Sequence, residues 1–258
     1  MKILITGAGS YIGMCFEEYM KNFPDYQVDT LDMLQKNWES KDFSSYDSIY
    51  HVAGIAHRKE TEENANLYYE VNRDLVLKVA EKAKRENVKQ FVFLSSMSVY
   101  GVEEGVITKD TPPNPKSNYG KSKIQAEELL GNLRSDDFKI AIMRPPMVYG
   151  DGCKGNYQML VKFAKMLPVF PDYENKRSMI HVDNLSKFVK NLIDEEKDGL
   201  FFPQDENYVC TCKMVKEIGN GMGKNIKLLK IMNPAVSILK KLTTQGKKAF
   251  GDLIYDIK

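Results

Sequence analysis

The chain alternates short runs of almost continuous apolar residues with longer segments in which apolar residues recur at every third or fourth position. The longer segments predict helices at Tyr11–Asn22, Glu62–Glu86 and Tyr119–Leu133. The apolar runs predict strands at KILIT (2–6), YQVDTLD (26–32), SIYHVAG (48–54), QFVFLSS (90–96) and KIAIMRP (139–145). Strands with so few polar positions are buried on both faces, as in a parallel sheet covered by helices. The pattern therefore predicts a doubly wound α/β fold of the Rossmann type.

The alternation changes after residue 147. The stretch GDGCKGN (150–156) is typical of a loop, and helices are predicted near Tyr157–Met166 and at about Asp183–Glu195. Before this point, residues 33–46 leave little room for both a helix and a strand. We therefore predict a Rossmann domain at 1–147 and 180–202, with a smaller interleaved C-terminal lobe at 148–179 and 203–258.

Composition and charge narrow the class of protein. With 258 residues and 43% hydrophobic content, the chain can bury a large core. Its 37 basic and 35 acidic side chains give a net charge of +2, so the overall charge favours neither nucleic acid nor a membrane as partner, and we expect a small molecule. No apolar run approaches the length of a membrane span, and the opening MKILITG is too short for a signal peptide. A cytoplasmic protein is therefore predicted.

The cysteines and histidines do not indicate a metal site. Four irregularly spaced cysteines fit a reducing compartment, and Cys210 and Cys212 alternate in a predicted strand, which favours packing over a metal or redox pair. His51 falls in a buried strand and is expected to be a core residue, whereas His57 begins a loop. We predict no metal site, because HxxxH spacing and paired acids are both missing from the sequence.

A glycine-rich turn follows the first predicted strand, in the stretch ILITGAGSYIG (3–13). Backbone amides at the start of the next helix lack partners there, and the helix dipole favours negative charge, so a pyrophosphate would fit. Gly7 permits a tight turn and Gly13 permits close packing of helix on strand. The common GxGxxG spacing would need glycine at Ile12, so the alternative of a glycine turn without a ligand stays open.

The second predicted strand ends at Asp32, near the position of a carboxylate that accepts the adenosine ribose hydroxyls. An acid there would repel a 2′-phosphate, which favours NAD over NADP. The alternative is that Asp32 only caps the following turn. Asp29 is expected to lie on the strand surface.

Tyr119 and Lys123 are four residues apart at the start of a predicted helix and share one face. A nearby ammonium would lower the tyrosine pKa by stabilising phenolate, and the pair could then transfer protons. Ser96 ends a predicted strand on the side where such folds bind ligands, and it could hydrogen-bond to a reacting hydroxyl. The alternatives are an ordinary amphipathic helix and a serine that only forms a turn.

Taken together, these stretches resemble the extended short-chain dehydrogenase/reductases of the NAD-dependent epimerase/dehydratase family, near the UDP-glucose 4-epimerases. The resemblance runs through most of the chain, and several ordered motifs are more specific than any one of them. The motifs are ITGAGSYIG, HVAGIAH, Val71–Asn72, SSMSVYG, YGKSK, RPPMVYG and RSMIHVDNL.

The resemblance implies roles for matching positions. Tyr119 would be the general base and acid, Lys123 would hold the nicotinamide ribose, and Ser96 would bridge tyrosine and substrate. The smaller lobe would bind substrate, with Asn156 and Arg177 on the phosphates of a nucleotide sugar, where a guanidinium suits phosphate oxygens. The implied cofactor contacts are Gly7, Gly9, Ser10, Tyr11, Ile12, Gly13, Asp32, Met33, Asp42, Phe43, Val52, Ala53, Gly54, Asn72, Tyr119, Lys123, Pro146 and Val148.

Two departures from the family pattern are visible. Ser10 replaces the middle glycine of the loop, which is tolerable if its φ stays negative. The tail KKAFGDLIYDIK resembles the late GD-L motif without the arginine often found before it, so Lys247 or Lys248 is expected to substitute, or the second phosphate contact is missing. Because the chain ends where relatives usually continue, part of the lid of the smaller lobe is expected to be lacking.

The same tail is rich in lysine, and apolar residues at 235, 238, 239 and 242 predict an amphipathic helix. We expect a solvated lysine face over a packed apolar stripe, with membrane-surface binding as the alternative.

The resemblance implies an NAD-dependent epimerase acting at C4 of a UDP-hexose through hydride transfer and a 4-keto intermediate. One alternative is an NAD(P)H-dependent 4-ketoreductase of a 4-keto-6-deoxy sugar nucleotide in surface polysaccharide synthesis. Another is a dinucleotide-sensing protein without catalysis. By analogy, the helices at Glu62–Glu86 and Tyr119–Leu133 would form the face of a homodimer.

Overall fold

The computed structural model describes residues 1–56, 58 and 60–257. The loop histidine His57 lies outside the described residues. The strands are β1 Lys2–Thr6, β2 Gln27–Leu31, β3 Ser48–His51, β4 Gln90–Leu94, β5 Gly105–Ile107, β6 Lys139–Met143, β7 Met147–Tyr149, β8 Val169–Pro171, β9 Met179–His181, β10 Gly199–Phe201, β11 Lys227–Leu229 and β12 Leu253–Tyr255. The helices are α1 Tyr11–Met20, α2 Ala65–Tyr69, α3 Leu75–Arg85, α4 Asn118–Leu133, α5 Asn156–Met166, α6 Val182–Asp194, α7 Thr211–Gly221, α8 Asn233–Leu242 and α9 Thr244–Phe250.

The central sheet of the described residues is parallel, with strand order β10-β6-β4-β3-β1-β2. The strand that follows β2 in the chain returns to the opposite side of β1, so the strand order reverses between β1 and β3. In open α/β sheets, ligands bind outside the carboxyl ends of the strands at such a reversal. The predicted doubly wound Rossmann-type fold is confirmed.

The chain folds into two compact units, each made of three segments. The first is Met1–Gly101, Pro113–Pro146 and His181–Pro203, and the second is Val102–Pro112, Met147–Ile180 and Gln204–Lys258. Sequence analysis places residues 102–112 in the Rossmann domain, whereas the structure places them in the second unit, because β5 pairs in parallel with β12. The other boundaries differ from the predicted ones by one residue.

The register of the sheet builds the core of the first unit. Leu4, Ile49, Phe91 and Ile140 pair from strand to strand, and all four are fully buried. Apolar residues of α3 and α4 complete this cluster. Each such side chain stabilises the fold by about 1.5–3 kcal/mol. The core thus fixes the ends of β1, β3 and β4 relative to one another, and many of the predicted site residues follow these ends.

The second unit corrects a prediction about the cysteines. Cys210 and Cys212 do not alternate in a strand, because Cys210 is the N-cap of α7 and Cys212 lies in its first turn. Cys212 is buried among apolar side chains of this unit, and its sulfur lies 3.3 Å from that of Cys210. The Asn175 side chain accepts a hydrogen bond from the Thr211 amide, which holds the start of the helix. Within the described residues, no helix is long and apolar enough to cross a membrane.

Candidate active site

The turn between β1 and α1 approaches the end of β3 closely. Gly7 has a φ of +115° and Gly9 a φ of +76°, conformations that favour glycine. A Cβ atom on Gly7 would lie 2.6 Å from the backbone nitrogen of Ala53. That nitrogen donates a hydrogen bond to the Thr6 carbonyl, so the two strand ends are joined at the contact. Glycine is therefore required at position 7 by both backbone conformation and space.

Ser10 replaces the middle glycine of the loop without backbone strain. Its φ is −71°, as the sequence analysis requires, and it is the N-cap of α1. Its hydroxyl accepts a hydrogen bond from the Gly13 amide at 3.2 Å. A Cβ atom on Gly13 would lie 2.6 Å from that hydroxyl, so the small residue at 13 makes the cap possible. The first turn of α1, which includes Tyr11 and Ile12, is thereby held with its amides at the carboxyl end of β1.

Alanine substitutions at Gly7 and Gly9 should separate the effect of steric overlap from the effect of an unfavourable backbone conformation. Gly7→Ala should lower the free energy of unfolding by about 2–3 kcal/mol, because it combines an unfavourable φ with overlap on the Ala53 backbone. Gly9→Ala should cost only about 1 kcal/mol, because no atom lies within 4 Å of its added Cβ. Urea denaturation of both variants measures the difference, and equal losses would contradict the contact.

Asp32 lies just after β2 and is half-buried. One carboxylate oxygen accepts a hydrogen bond from the Leu34 amide at 2.9 Å, so the turn cap foreseen as its alternative role is present. Met33 packs against the core of the first unit. Asp29 does more than lie on the surface, because it accepts a hydrogen bond from the Tyr46 hydroxyl at 2.6 Å, which lowers the Asp29 pKa.

Asp42 and Phe43 differ in what they offer a cofactor. Asp42 is exposed and accepts a hydrogen bond from the Ser44 amide, which lowers the pKa of its carboxyl. Phe43 is fully buried, and its backbone amide donates to the Glu86 carboxylate at 2.7 Å. Neither the side chain nor the amide of Phe43 is available in this arrangement, so the structure gives no support to the contact implied for Phe43.

The chain after β3 is held by Asn72. This side chain is fully buried, accepts a hydrogen bond from the Ile55 amide at 2.8 Å and donates to the Ile55 carbonyl at 3.0 Å. Asn72 lies in a π-helical turn, Glu70–Asp74, that joins α2 to α3. Val52 and Ala53, which precede the contact at Ile55 in the chain, are buried. A Cβ atom on Gly54 would lie 3.0 Å from the Asn72 amide oxygen. Asn72 therefore shapes the loop and leaves little space for a side chain at Gly54.

His51 is a core residue, as predicted. It is fully buried, and its Nδ1 atom lies 2.7 Å from the Thr6 hydroxyl. Its Nε2 atom has no hydrogen-bond partner among the described residues. Burial lowers the pKa of His51 to about 3, and the nearby Lys123 ammonium acts in the same direction. The imidazole is therefore neutral at physiological pH.

The neutral state of His51 should make stability pH-dependent. Between the ordinary histidine pKa of about 6.5 and the folded value of about 3, the unfolded chain binds a proton that the folded chain does not. The free energy of unfolding should therefore fall with acidification through this range, by up to about 1.4 kcal/mol per pH unit from this group. His51→Asn removes this titrating group. Urea denaturation at several pH values should therefore show that the free energy of unfolding falls less steeply with acidification in the variant than in the parent protein. An unchanged slope would contradict this.

The start of α4 carries the two predicted acid-base residues. Lys123 is buried, and its amine donates to the Leu94 carbonyl at 2.8 Å and lies 4.6 Å from the centre of the Phe93 ring. Burial lowers the pKa of Lys123 to about 7, against the opposing effect of Glu127. Because the amine is bound to the end of β4, the helix is fixed against the sheet at the strand end that precedes Ser96.

Tyr119 is half-buried one turn before Lys123. Burial raises the pKa of its hydroxyl, and the nearby Ser96 side chain acts in the opposite direction. The structure thus places Ser96 close to Tyr119, although the Ser96 hydroxyl donates its hydrogen bond to Ser98 at 3.1 Å. It differs from the expectation that lysine lowers the tyrosine pKa, because the Lys123 amine is engaged with Leu94 and the desolvation of Tyr119 has the larger effect.

Glu60 contributes to the site without any signal in the sequence. Its carboxylate accepts hydrogen bonds from the amides of Asn118 at 2.9 Å and Tyr119 at 3.1 Å. Ser117 caps the same helix end through the Gly120 amide. A carboxylate at a helix N-terminus is favourable, so Glu60 holds the backbone of Tyr119 in place. Glu60 lies in a loop nearly 60 residues earlier, which is why no local pattern identifies it.

A buried ion pair joins α4, the helix of Tyr119 and Lys123, to the residue that follows β6. Glu127, one turn after Lys123, binds the Arg144 guanidinium through both carboxylate oxygens, with a shortest distance of 2.6 Å. Arg144 also donates to the Tyr100 hydroxyl at 2.8 Å, and the Ser95 hydroxyl donates to Glu127. Both charges are thus hydrogen-bonded, as burial requires. Sequence analysis missed this pair because its members are distant in the chain.

The predicted phosphate ligands lie in the second unit, whereas Pro146 is buried at the edge of the first. Val148 lies in β7, and exposed Asn156 begins α5. Arg177 is half-buried, and its Nη1 atom donates to the Gly251 carbonyl at 2.9 Å. Burial lowers the Arg177 pKa.

Arg177 is attached to the late GD-L motif, since Gly251 belongs to it. Leu253 of this motif forms a β-bridge with Arg177. Lys248, considered as a substitute phosphate ligand, is paired with Glu103 at 3.3 Å. In the part of the chain that the structure describes, no three His, Cys, Asp or Glu residues are grouped as metal ligands.

Sequence comparison identifies relatives of the chain. A model of the NAD dependent epimerase/dehydratase family matches residues 3–201. A UDP-glucose 4-epimerase from Vibrio cholerae is 33% identical over 190 residues, which cover 68% of this chain and 57% of that protein. The N-acetyl-alpha-D-glucosaminyl-diphospho-ditrans,octacis-undecaprenol 4-epimerase of Escherichia coli O157:H7 is 26% identical, over 95% of this chain and 81% of that protein. The chain therefore spans little more than half of the first relative.

Structure comparison finds the same fold in sugar-nucleotide enzymes. A UDP-glucuronic acid 4-epimerase from Bacillus cereus in complex with NAD superposes with a TM-score of 0.76 at 19% identity, over 100% of this chain and 90% of that one. A dTDP-4-dehydrorhamnose reductase from Clostridium acetobutylicum gives a TM-score of 0.73 at 22% identity, over 89% of this chain and 83% of that one. At these identities the likeness shows the fold.

Proposed function

The chain belongs to the NAD dependent epimerase/dehydratase family, a family of NAD-dependent enzymes, and on this premise we propose that it is a sugar-nucleotide epimerase acting at C4 of a UDP-hexose. The observation that carries the proposal is the grouping of Ser96, Tyr119 and buried Lys123, in which Ser96 affects the pKa of the Tyr119 hydroxyl and the Lys123 amine is bound to the Leu94 carbonyl. The predicted resemblance to the family and the predicted NAD cofactor are confirmed by the family match.

The residues present fit NAD. Gly7 and Gly13 occupy positions where a Cβ atom would meet Ala53 or Ser10, so the turn lies close to the strand ends. The first turn of α1 offers amides to a pyrophosphate, and Asp32 offers a half-buried carboxylate to a ribose hydroxyl. Bound at these residues, NAD would supply the hydride chemistry for oxidation and reduction of a sugar carbon. We infer that the first unit holds the cofactor and the second the sugar nucleotide.

Proton transfer in this proposal belongs to Tyr119. Oxidation of a C4 hydroxyl requires its proton to pass to the Tyr119 phenolate, and reduction of the 4-keto group requires the phenol to return that proton. Ser96, which lies close to Tyr119, would orient the reacting oxygen. Glu60 fixes the Tyr119 backbone, and Lys123 would hold the nicotinamide ribose. Arg177 and Asn156 would bind the diphosphate of the substrate.

A second candidate function is a 4-ketoreductase that makes one hydride transfer from NAD(P)H to a 4-keto-6-deoxy sugar nucleotide. One observation favours it: burial raises the pKa of Tyr119, and a protonated tyrosine is the form that delivers a proton to a carbonyl oxygen. A third candidate, a sensor of the dinucleotide, would need none of Ser96, Tyr119 and Lys123, so their presence together favours catalysis.

One assay separates the three candidates. The purified protein is incubated with UDP-glucose, UDP-N-acetylglucosamine and their 4-keto-6-deoxy derivatives, with and without NADH. Epimer formation without net use of cofactor supports the first candidate, and stoichiometric consumption of NADH supports the second. Cofactor binding without turnover supports the third. An undecaprenyl-diphosphate-linked N-acetylglucosamine is a further substrate to include, because the name of the Escherichia coli relative specifies it.

The assembly and location of the protein stay predictions. A homodimer through the face of the helices at Glu62–Glu86 and Tyr119–Leu133 is expected from family analogy, and sedimentation at several concentrations would test it. The cytoplasmic location and the absence of a nucleic-acid partner likewise rest on composition.

A further inference from the structure

Helix α8 and the turn before it expose apolar side chains that sequence analysis expects to be packed. Ile231, Ile238, Leu239 and Leu242 are 86%, 58%, 43% and 77% exposed, and Ala235 is also exposed. These residues form what we call the α8 face, since positions 235, 238, 239 and 242 recur at helical spacing. The predicted amphipathic helix is therefore present, but the prediction that its apolar stripe packs against the chain is wrong.

The opposite side of α8 makes the contacts with the second unit. Val236 is buried in the apolar cluster of this unit. Lys240 turns towards the same side, and its amine lies 5.3 Å from the centre of the Tyr173 ring. Because Val236 and Lys240 already fill the inward side, the helix cannot turn its α8 face inward without losing both contacts. The apolar stripe thus faces solvent as a property of the fold.

The chain segment that carries the α8 face is basic. Residues 224–250 contain seven lysines and no aspartate or glutamate, although the whole chain is nearly neutral. Lys227, Lys230 and Lys241 are exposed beside the apolar residues. Glu103 and Glu104 line a groove together with Leu242, and Glu103 is paired with Lys248. Acidic residues therefore border the α8 face at this groove, and the Asp172 carbonyl accepts a hydrogen bond from the Asn233 side chain at the start of α8.

We propose that the α8 face docks on the surface of a membrane that contains anionic phospholipids. Helices with an apolar stripe and flanking lysines lie in the interface, where the apolar side chains enter the acyl boundary and the lysines meet the headgroups. At ten residues, α8 is far too short to span a bilayer, so it would lie along the surface. The proposal does not depend on the enzymatic activity proposed above.

Charge complementarity favours a membrane over a second copy of the chain. A symmetric contact through the α8 face would bring Lys230 and Lys241 of two copies towards the same patch, and like charges there would oppose association. An anionic lipid surface instead offers many negative charges to the same lysines. One partner would then both cover the exposed apolar side chains and pair with the lysines.

The test is binding of the full chain to vesicles, measured by co-sedimentation. Vesicles of phosphatidylcholine alone are compared with vesicles in which phosphatidylglycerol replaces a third of the lipid. We expect at least tenfold tighter binding to the anionic vesicles, weakened by high salt because the lysine contribution is screened. Equal binding to both lipid mixtures, or no binding to either, would overturn the proposal.

Variants locate the contact. Ile238→Ser with Leu242→Ser, and separately Lys230→Glu with Lys241→Glu, should each reduce vesicle binding at least tenfold. These side chains are exposed, so circular dichroism and thermal melting should be unchanged. The matched control is Leu200→Ser with Lys187→Glu, an exposed leucine and lysine of the first unit, which should bind as the parent does. Unchanged binding of the α8 variants would exclude this face.

Analytical ultracentrifugation without lipid tests the competing partner. We expect the Ile238→Ser/Leu242→Ser variant to have the same oligomeric state as the parent protein. A dimer of the parent that this variant loses would show that a second copy covers the α8 face, and the membrane proposal would then be wrong.

Discussion

Tyr119→Phe is expected to lower kcat by about 10²- to 10⁴-fold, the usual contribution of a positioned acid or base. The substitution removes only the hydroxyl, whose pKa is affected by Ser96, and leaves the ring in the first turn of α4. The Glu60 and Ser117 contacts of this helix end use backbone amides, so they persist. The loss should therefore fall on the chemical step, with little change in the NAD dissociation constant, measured by fluorescence titration.

Tyr69→Phe is the matched control for this loss. The Tyr69 hydroxyl donates to the Asn118 side chain at 3.1 Å, so the variant loses a hydrogen bond to the residue before Tyr119 without touching the reacting groups. We expect kcat within a few-fold of the parent. A Tyr119→Phe protein with full activity would refute the proposed proton transfer, whatever the substrate.

Glu127→Ala is expected to lower the free energy of unfolding by about 3–5 kcal/mol, because it leaves the Arg144 charge buried without its partner. The side chains of Arg144 and Glu127 are only 8% and 6% exposed, so solvent cannot replace the lost contact. Urea denaturation of the parent and the variant measures the loss. The variant should also hold Lys123, one turn earlier in α4, less firmly in place, and its activity should therefore be lower.

Two comparisons make this result specific. Glu18→Ala breaks the ion pair with Lys21 on α1, whose side chains are 74% and 66% exposed, and stability should barely change. Combining Glu127→Leu with Arg144→Met replaces both charges by apolar groups, and much of the lost stability should return. If Glu127→Ala were no more harmful than Glu18→Ala, the pair would not stabilise the fold.

The parts of the molecule that follow from local patterns are predictable. Continuous apolar runs identify β1, β3, β4 and β6, because a strand buried on both faces has few polar positions. The turn at Gly7 and the placement of Tyr119 and Lys123 one turn apart in a helix follow from spacing alone. Ser10 can also be assessed in advance, since a serine needs only a negative φ at that position.

The remaining features depend on contacts between distant residues. The strand β5 exists because β12 pairs with it almost 150 residues later, and Glu60 caps a helix that begins far along the chain. Periodicity predicts the amphipathic nature of α8, but it carries no information on which side packs, and here a valine and a lysine face inward. The alternation of Cys210 and Cys212 fits a helix start as well as a strand.

The π-helical turn at Glu70–Asp74 makes the segment between β3 and β4 sensitive to the loss of a single residue. Each hydrogen-bonded ring of a π turn encloses one residue more than a ring of an α-helix. Deleting one residue here would let α2 and α3 join as a continuous α-helix, with α2 rotated by about 100° relative to α3. Asn72 would then leave the Ile55 backbone that it holds through two hydrogen bonds. Among natural variants of this protein, we therefore expect substitutions between the start of α2 and the end of α3 to be far more common than single-residue deletions in the same segment.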